Sequence, residues 1–169
     1  MACALTSGYT IDCRDQTGGI KEVYICEFAN VYNIISATGS ISAISLCGSA
    51  KFRTYQQNPE TALFSDDIVL STQNGTRFSD QKLEITIPKW SATQRNEIML
   101  VAQNKLAIII KTANDKYFYM GETRGAYMEN STTSTGKAFG DLSGYVLKFG
   151  AKEPVPAQEV ASNIIAALL

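Results

Sequence analysis

Ile68-Val69-Leu70-Ser71-Thr72-Gln73-Asn74-Gly75 leads through residues 76–82 into Leu83-Glu84-Ile85-Thr86-Ile87, and this stretch decides the fold class. Asn74-Gly75 is the pair a type I′ turn favours, because both of its central positions need positive φ. On one side stands a β-branched apolar run, on the other a strict apolar–polar alternation that places Leu83, Ile85 and Ile87 on one face. The stretch therefore predicts a β-hairpin with one buried face.

The same pattern continues in both directions. Upstream, residues 21–28 begin a series of short strands, and residues 31–35 and 41–46 flank Ala37-Thr38-Gly39-Ser40, a hairpin-type connection. Residues 51–57 and 61–70 are further strands, parted at Asn58-Pro59. Downstream, Ser91-Ala92-Thr93-Gln94 reads as a capping box, so a helix is expected over about 92–103, with Ile98, Val101 and Ala102 on its packed side and Asn104 ending it in a left-handed conformation. Residues 106–110 are too short and too β-branched for a second helix and read as a buried central strand. Strands over 117–120, about 125–129 and 145–149 follow, and the polar tract from Asn130 to Gly136 reads as an exposed loop.

The expectation is thus a mainly β, antiparallel, sandwich- or barrel-like domain over 1–153, opened by a polar arm over 1–20. Pro154-Val155-Pro156 ends the β region. Residues 154–169 are a proline-containing linker and an amphipathic helix near 157–168, with Val160, Ile164, Ile165 and Leu168 on one stripe. So short a helix must dock on something, its own domain or a neighbour.

Composition excludes more than it assigns. The 169 residues are 45% hydrophobic, enough for one core but not for two domains. Fifteen Lys and Arg against sixteen Asp and Glu leave a formal charge of −1, without the basic excess of a phosphate-gripping protein. With 0 histidines there is no His-dependent triad and no His-ligated zinc. Cys3, Cys13, Cys26 and Cys47 form no Cys-x-x-Cys pair. No charged leader precedes an apolar segment, and no apolar run reaches about 18 residues. The sequence therefore predicts folding in a reducing cytoplasm with free thiols, Cys26 packing as a small hydrophobe, no membrane partner, no metal and no cofactor.

Candidate chemistry is sparse. Asp66-Asp67 lie in a strand, where neighbours face opposite ways, so a solvated face or turn-capping role is expected rather than a shared acid–base site. Gly136-Lys137-Ala138 leads towards a strand and lacks the Ser or Thr of a phosphate-binding loop. Trp90 with Phe118, Tyr119 and Tyr145 serves either as core or as a stacking platform for sugars or bases. No base is placed to activate the hydroxyls of residues 131–135, and the chain is read as a non-enzyme.

Several segments carry a resemblance. The opening Met-Ala-Cys-Ala-Leu-Thr-Ser-Gly-Tyr-Thr-Ile-Asp-Cys-Arg-Asp, the run Gly-Gly-Ile-Lys-Glu-Val-Tyr-Ile-Cys-Glu-Phe-Ala-Asn-Val, the helix residues Gln94-Arg95-Asn96-Glu97-Ile98 and the tract Thr135-Gly136-Lys137-Ala138-Phe139-Gly140-Asp141-Leu142-Ser143-Gly144-Tyr145 are similar to small structural proteins of bacteriophage particles. A single β-rich domain with one internal helix and long polar loops is, among these, most similar to the tail tube proteins.

The resemblance implies six copies joined through their sheets into a ring with a continuous inner β-barrel. Such rings stack into a tail that conducts DNA without binding it specifically, after assembly in the host cytoplasm. The implied partners are further copies of the chain, the tape measure, terminator and baseplate proteins, and a sheath where there is one. Contacts between subunits or rings are expected at Asp12, Arg14 and Asp15 in the arm, at Thr38 and Gly39, and at Thr132, Thr133, Thr135 and Asp141. Two other readings stand beside it: a neck, tail-terminator or capsid-associated virion protein, and a β-sandwich carbohydrate-binding module.

Overall fold

The computed structural model describes residues 8–9, 16–37 and 39–169. In chain order the elements are β1 (Ile20–Glu27), β2 (Val31–Ala37), β3 (Ser40–Leu46), β4 (Arg53–Gln56), β5 (Leu63–Ser71), β6 (Thr76–Pro88), α1 (Ala92–Gln103), β7 (Leu106–Thr112), β8 (Tyr117–Met120), β9 (Tyr127–Ser134), β10 (Gly144–Glu153), β11 (Gln158–Val160) and α2 (Ser162–Leu168). The fold is mainly β, with one internal and one C-terminal helix, as the alternation predicts.

The strands form two sheets. The large sheet runs β2-β3-β11-β8-β7-β1-β4 and the small one β5-β6-β10-β9. Between them lies one core, in which Val23, Ile25, Ile108 and Ile110 of the large sheet meet Leu83, Ile85, Leu147 and Phe149 of the small one. Ile98 and Val101 of α1 close this layer, whereas Ala102, expected beside them, is exposed.

The large sheet is also buried on its other face, because it rolls up. β1 and β2 stand five places apart in the sheet, which would be about 24 Å if it were flat. Yet only the 3-10 turn Phe28–Asn30 joins them, and the four steps from Glu27 to Val31 reach about 14 Å at most. Curling brings Tyr24, Cys26, Ala107, Ile109 and Tyr119 inside the roll, facing Ile41 and Val160. β7 is consequently buried on both faces, as expected of a continuous apolar run. Burial raises the Cys26 thiol, which packs as the small hydrophobe it was read to be; Cys3 and Cys13 lie outside the described residues.

α2 plugs the roll. Ile165 and Leu168 enter its interior, and the Phe52 amide donates to the Leu168 carbonyl at 3.0 Å. The terminal segment differs from its expected course, since Gln158–Val160 is a strand and the helix starts at Ser162. The reason is a vacant place in the sheet. β11 pairs in parallel with β3 and antiparallel with β8, supplying hydrogen-bond partners that a helix there would leave missing on both strands. Residues beyond the prolines therefore build the core of the same body rather than dock on it from outside.

Local signals hold with two changes of detail. The Ser91 hydroxyl accepts from the Gln94 amide at 3.3 Å, as the capping box predicts. Asn104 ends the helix in an extended conformation, φ −100°, and its side-chain amide instead donates to the Leu100 carbonyl at 2.9 Å. The β5–β6 hairpin forms where Asn74-Gly75 stands, but Ser71 pairs with Thr76, so the turn has four residues. Only Gly75 has a positive φ there, 62°, so the turn is not type I′.

Candidate functional site: the open edges of the small sheet

The ends of the small sheet are β5 and β9, each paired on one side only. β9 continues through the polar tract expected to be a loop, pairing Thr132 with Val146 and Thr133 with Tyr145. Alternation cannot mark such a strand, because residues from Glu129 to Ser134 are all exposed. Its hydroxyl-rich, β-branched sequence suits an edge whose outward backbone groups stay hydrated. β5 is the opposite case. Leu63, Ile68 and Leu70 are exposed on it, Leu70 by 67%, on a strand that offers unpaired backbone beside apolar side chains.

The strands are cut on a diagonal. Asp67, midway along β5, shares a row with Asp80 and Lys152, while Asn130 and Ser131, midway along β9, share rows with Lys148 and Leu147. Across three strand spacings the centres slip by four to five residues, about 13–16 Å along for about 14 Å across. That slope, about 45°, is close to the strand tilt of closed barrels. Every neighbouring pair in the sheet is antiparallel, so β9 of one copy can meet β5 of another without breaking the pattern.

The outer face of the small sheet carries three lysines, of which Lys82 and Lys148 are matched by acids and Lys152 stands over the Phe78 ring at 5.8 Å. Lys148 pairs with Glu84 at 2.8 Å and Lys82 with Asp80 at 3.2 Å. The Glu129 side chain lies across Gly150, where a Cβ would collide with it, so this acid shares the face with Lys82, the partner of Gly150 in register. The hydrogen bond from Lys82 to Asp80 raises the ammonium above its usual range.

The loop over 135–143 stands at the end of the β9 edge, and its shape is fixed by one carboxylate. Asp141 Oδ2 accepts from the amides of Lys137 at 2.8 Å and Ala138 at 2.9 Å. These bonds, Ala138 first, hold the Asp141 carboxyl below its usual range. Gly136 has φ 70°, and a side chain there would run into Asp141 Cβ, so glycine is required on both counts. Phe139 sits fully exposed at the tip.

Across the sheet, beside the start of β5, lies a groove of about 470 Å³. Ile20, Phe64 and Ile110 give it an apolar floor continuous with the inter-sheet core, and Leu63 and Phe118 line it too. Its wall is the segment at 16–19, pinned where the Thr17 amide donates to Asn114 Oδ1 at 3.0 Å and the Ala113 amide to the Gly19 carbonyl at 2.9 Å.

The contact residues expected from sequence separate into two places. Thr132, Thr133, Thr135 and Asp141 come together on the β9 edge and its loop. Gly39 lies apart at the β2–β3 turn, its carbonyl accepting from Glu159 of β11 at 3.3 Å. Asp12, Arg14, Asp15 and Thr38 lie outside the described residues. Leu63, Ile68, Leu70 and Phe139 are exposed large hydrophobics that the sequence did not single out.

The remaining candidate groups serve the fold. Asp66 accepts from the Ser79 hydroxyl and from the Ala157 amide at 2.7 Å, tying β5 to β6 and to the C-terminal segment, so of the two roles expected it takes capping of a backbone amide rather than free solvation. Tyr119 and Tyr145 are buried, whereas Trp90 is 51% exposed and meets Tyr145 edge-on at 6.1 Å. The four aromatics thus form no continuous platform. Among the described residues no three His, Cys, Asp or Glu converge on a cation site, and no helix is long and apolar enough to cross a membrane. Compared with protein families, curated proteins and solved structures, the chain matches none.

Proposed function

We propose that this chain is a non-enzymatic tail tube subunit of a phage particle, closing through its small sheet into rings of six that stack into a DNA-conducting channel. The observation that carries this reading is the diagonal four-stranded sheet with two open, antiparallel-compatible edges. Closing a sheet into a barrel requires strands tilted and staggered in this way. Six copies supply 24 strands, six times the four of the small sheet. At a spacing of about 4.8 Å and a tilt near 45° they enclose a bore about 50 Å across between backbones. Side chains narrow it, leaving ample room for a duplex about 20 Å wide.

The polar face suits the wall of such a bore. Two of the three lysines on that face, Lys82 and Lys148, are engaged by acids of their own chain, which limits their capture of phosphate. Closure also explains why β5 carries exposed Ile68 and Leu70, an aggregation hazard on a permanent monomer. Sedimentation of the purified protein over a concentration series, with negative-stain imaging, tests the reading. Rings or hollow tubes of uniform diameter are expected; a protein that stays monomeric at the highest concentrations contradicts it.

A further inference from the structure

We infer that Phe139 of one copy is a knob that seats in the groove beside β5 of the next copy, so that each subunit carries both halves of the lock. The inference rests on the ring closure proposed above and assigns its side-chain contact. Three observations converge on it. The first is the knob itself, a fully exposed Phe on a loop held rigid by Asp141 through the amides of Lys137 and Ala138. Most of the ordering that seating requires is already present in the free subunit.

The second is the groove. Ile20, Phe64 and Ile110 expose an apolar floor at the flank of the sandwich, and about 470 Å³ accommodates a phenyl ring. The pinned segment at 16–19 gives it a fixed wall.

The third is placement. Strand centres slip by about one and a half rows per spacing from β5 to β9. One further spacing sets β5 of the next copy along β9, with its Leu63 about two rows, some 7 Å, beyond Ser134. That is the level of the loop over 135–143. Leu63 borders the groove, so the repeat that joins the edges also brings knob and groove together.

The test uses the full-length protein in three forms: unaltered, with Phe139→Ala, and with Phe139 replaced by the photocrosslinker p-benzoylphenylalanine. The Phe139→Ala subunit is expected to melt with the unaltered protein, because the ring touches nothing in the monomer, but to need at least about tenfold more protein to assemble. Crosslinks from position 139 are expected on residues 18–20 or 63–64 of another copy. If the unaltered protein forms rings while Phe139→Ala assembles equally well, the knob is refuted and the ring stands. Crosslinks falling elsewhere, including on the first fifteen residues or on the same copy, have the same meaning. Failure of the unaltered protein to assemble overturns both.

Discussion

The two sheets solve the same problem in opposite ways. The large sheet buries both faces at its centre: it rolls up, takes β11 into its midst and is plugged by α2, so that Ile109 is 1% exposed. Its end strands β2 and β4 are nonetheless paired on one side only, and Tyr32 and Ile35 of β2 are exposed. The small sheet covers one face only and leaves β5 and β9 unpaired, with Ile68 54% exposed. The centre of the large sheet is covered by the chain's own segments, while on the reading proposed above the small sheet is completed by another copy. On that reading stability and assembly belong to different parts of one body, and substitutions should separate them.

The largest effect is expected from removing α2. Deleting residues 162–169 exposes the pocket filled by Ile165 and Leu168, at a cost of about 3–6 kcal/mol for the two side chains. That is a large share of the stability of a domain this size. Denaturant unfolding should show the loss, together with weakened near-ultraviolet circular dichroism from the tyrosines lining the roll. Ile109→Ala comes next, at about 2–5 kcal/mol by the same measurement, since a double-sided strand has no way to close the cavity.

A smaller, pH-dependent effect is expected on the rim of the large sheet. The Tyr24 hydroxyl donates to Glu22 Oε2 at 2.6 Å, and Lys111 Nζ stands 3.1 Å from the same oxygen. These bonds, Tyr24 first, hold the Glu22 carboxyl below its ordinary value of 4.5 despite some burial. A depressed carboxyl contributes stability above its unfolded value, and loses it as pH falls through the folded one. Glu22→Gln should therefore destabilise the protein at neutral pH. Thermal melting across a pH series should show the gap to the unaltered protein closing as pH drops below 4.5.

The smallest effect on the fold is expected at the open edge. Ile68→Lys should change monomer stability by no more than about 0.5 kcal/mol, because the side chain is already in water. The same change should abolish assembly, since a lysine on an edge strand opposes pairing. Sedimentation and melting of this one variant, set beside Ile109→Ala, show whether the division between sheets holds. An Ile68→Lys protein that assembles normally would break it.

How much of this was legible in the sequence follows from how local each signal is. The β5–β6 hairpin and α1 were readable because alternation and the Ser91–Gln94 box act over a few residues. The turn type was not, since the four-residue connection depends on how β5 and β6 align over their whole length. The second half of β9 was read as loop because an edge strand wet on both faces has no apolar rhythm, and β11 escaped notice because three residues become a strand only between β3 and β8. The structure places Thr132, Thr133 and Asp141 together on the β9 edge and its loop, whereas the exposure of Ile68 and Phe139 could not be read locally and follows from the sheet order and the loop.

The most direct test is imaging of the assembled particle at a resolution that separates strands. The account predicts six copies in a ring, with β9 of each paired antiparallel to β5 of the next and the small sheets continuous around the bore. Rings joined through the large sheet, or with β5 and β9 left unpaired, would contradict it.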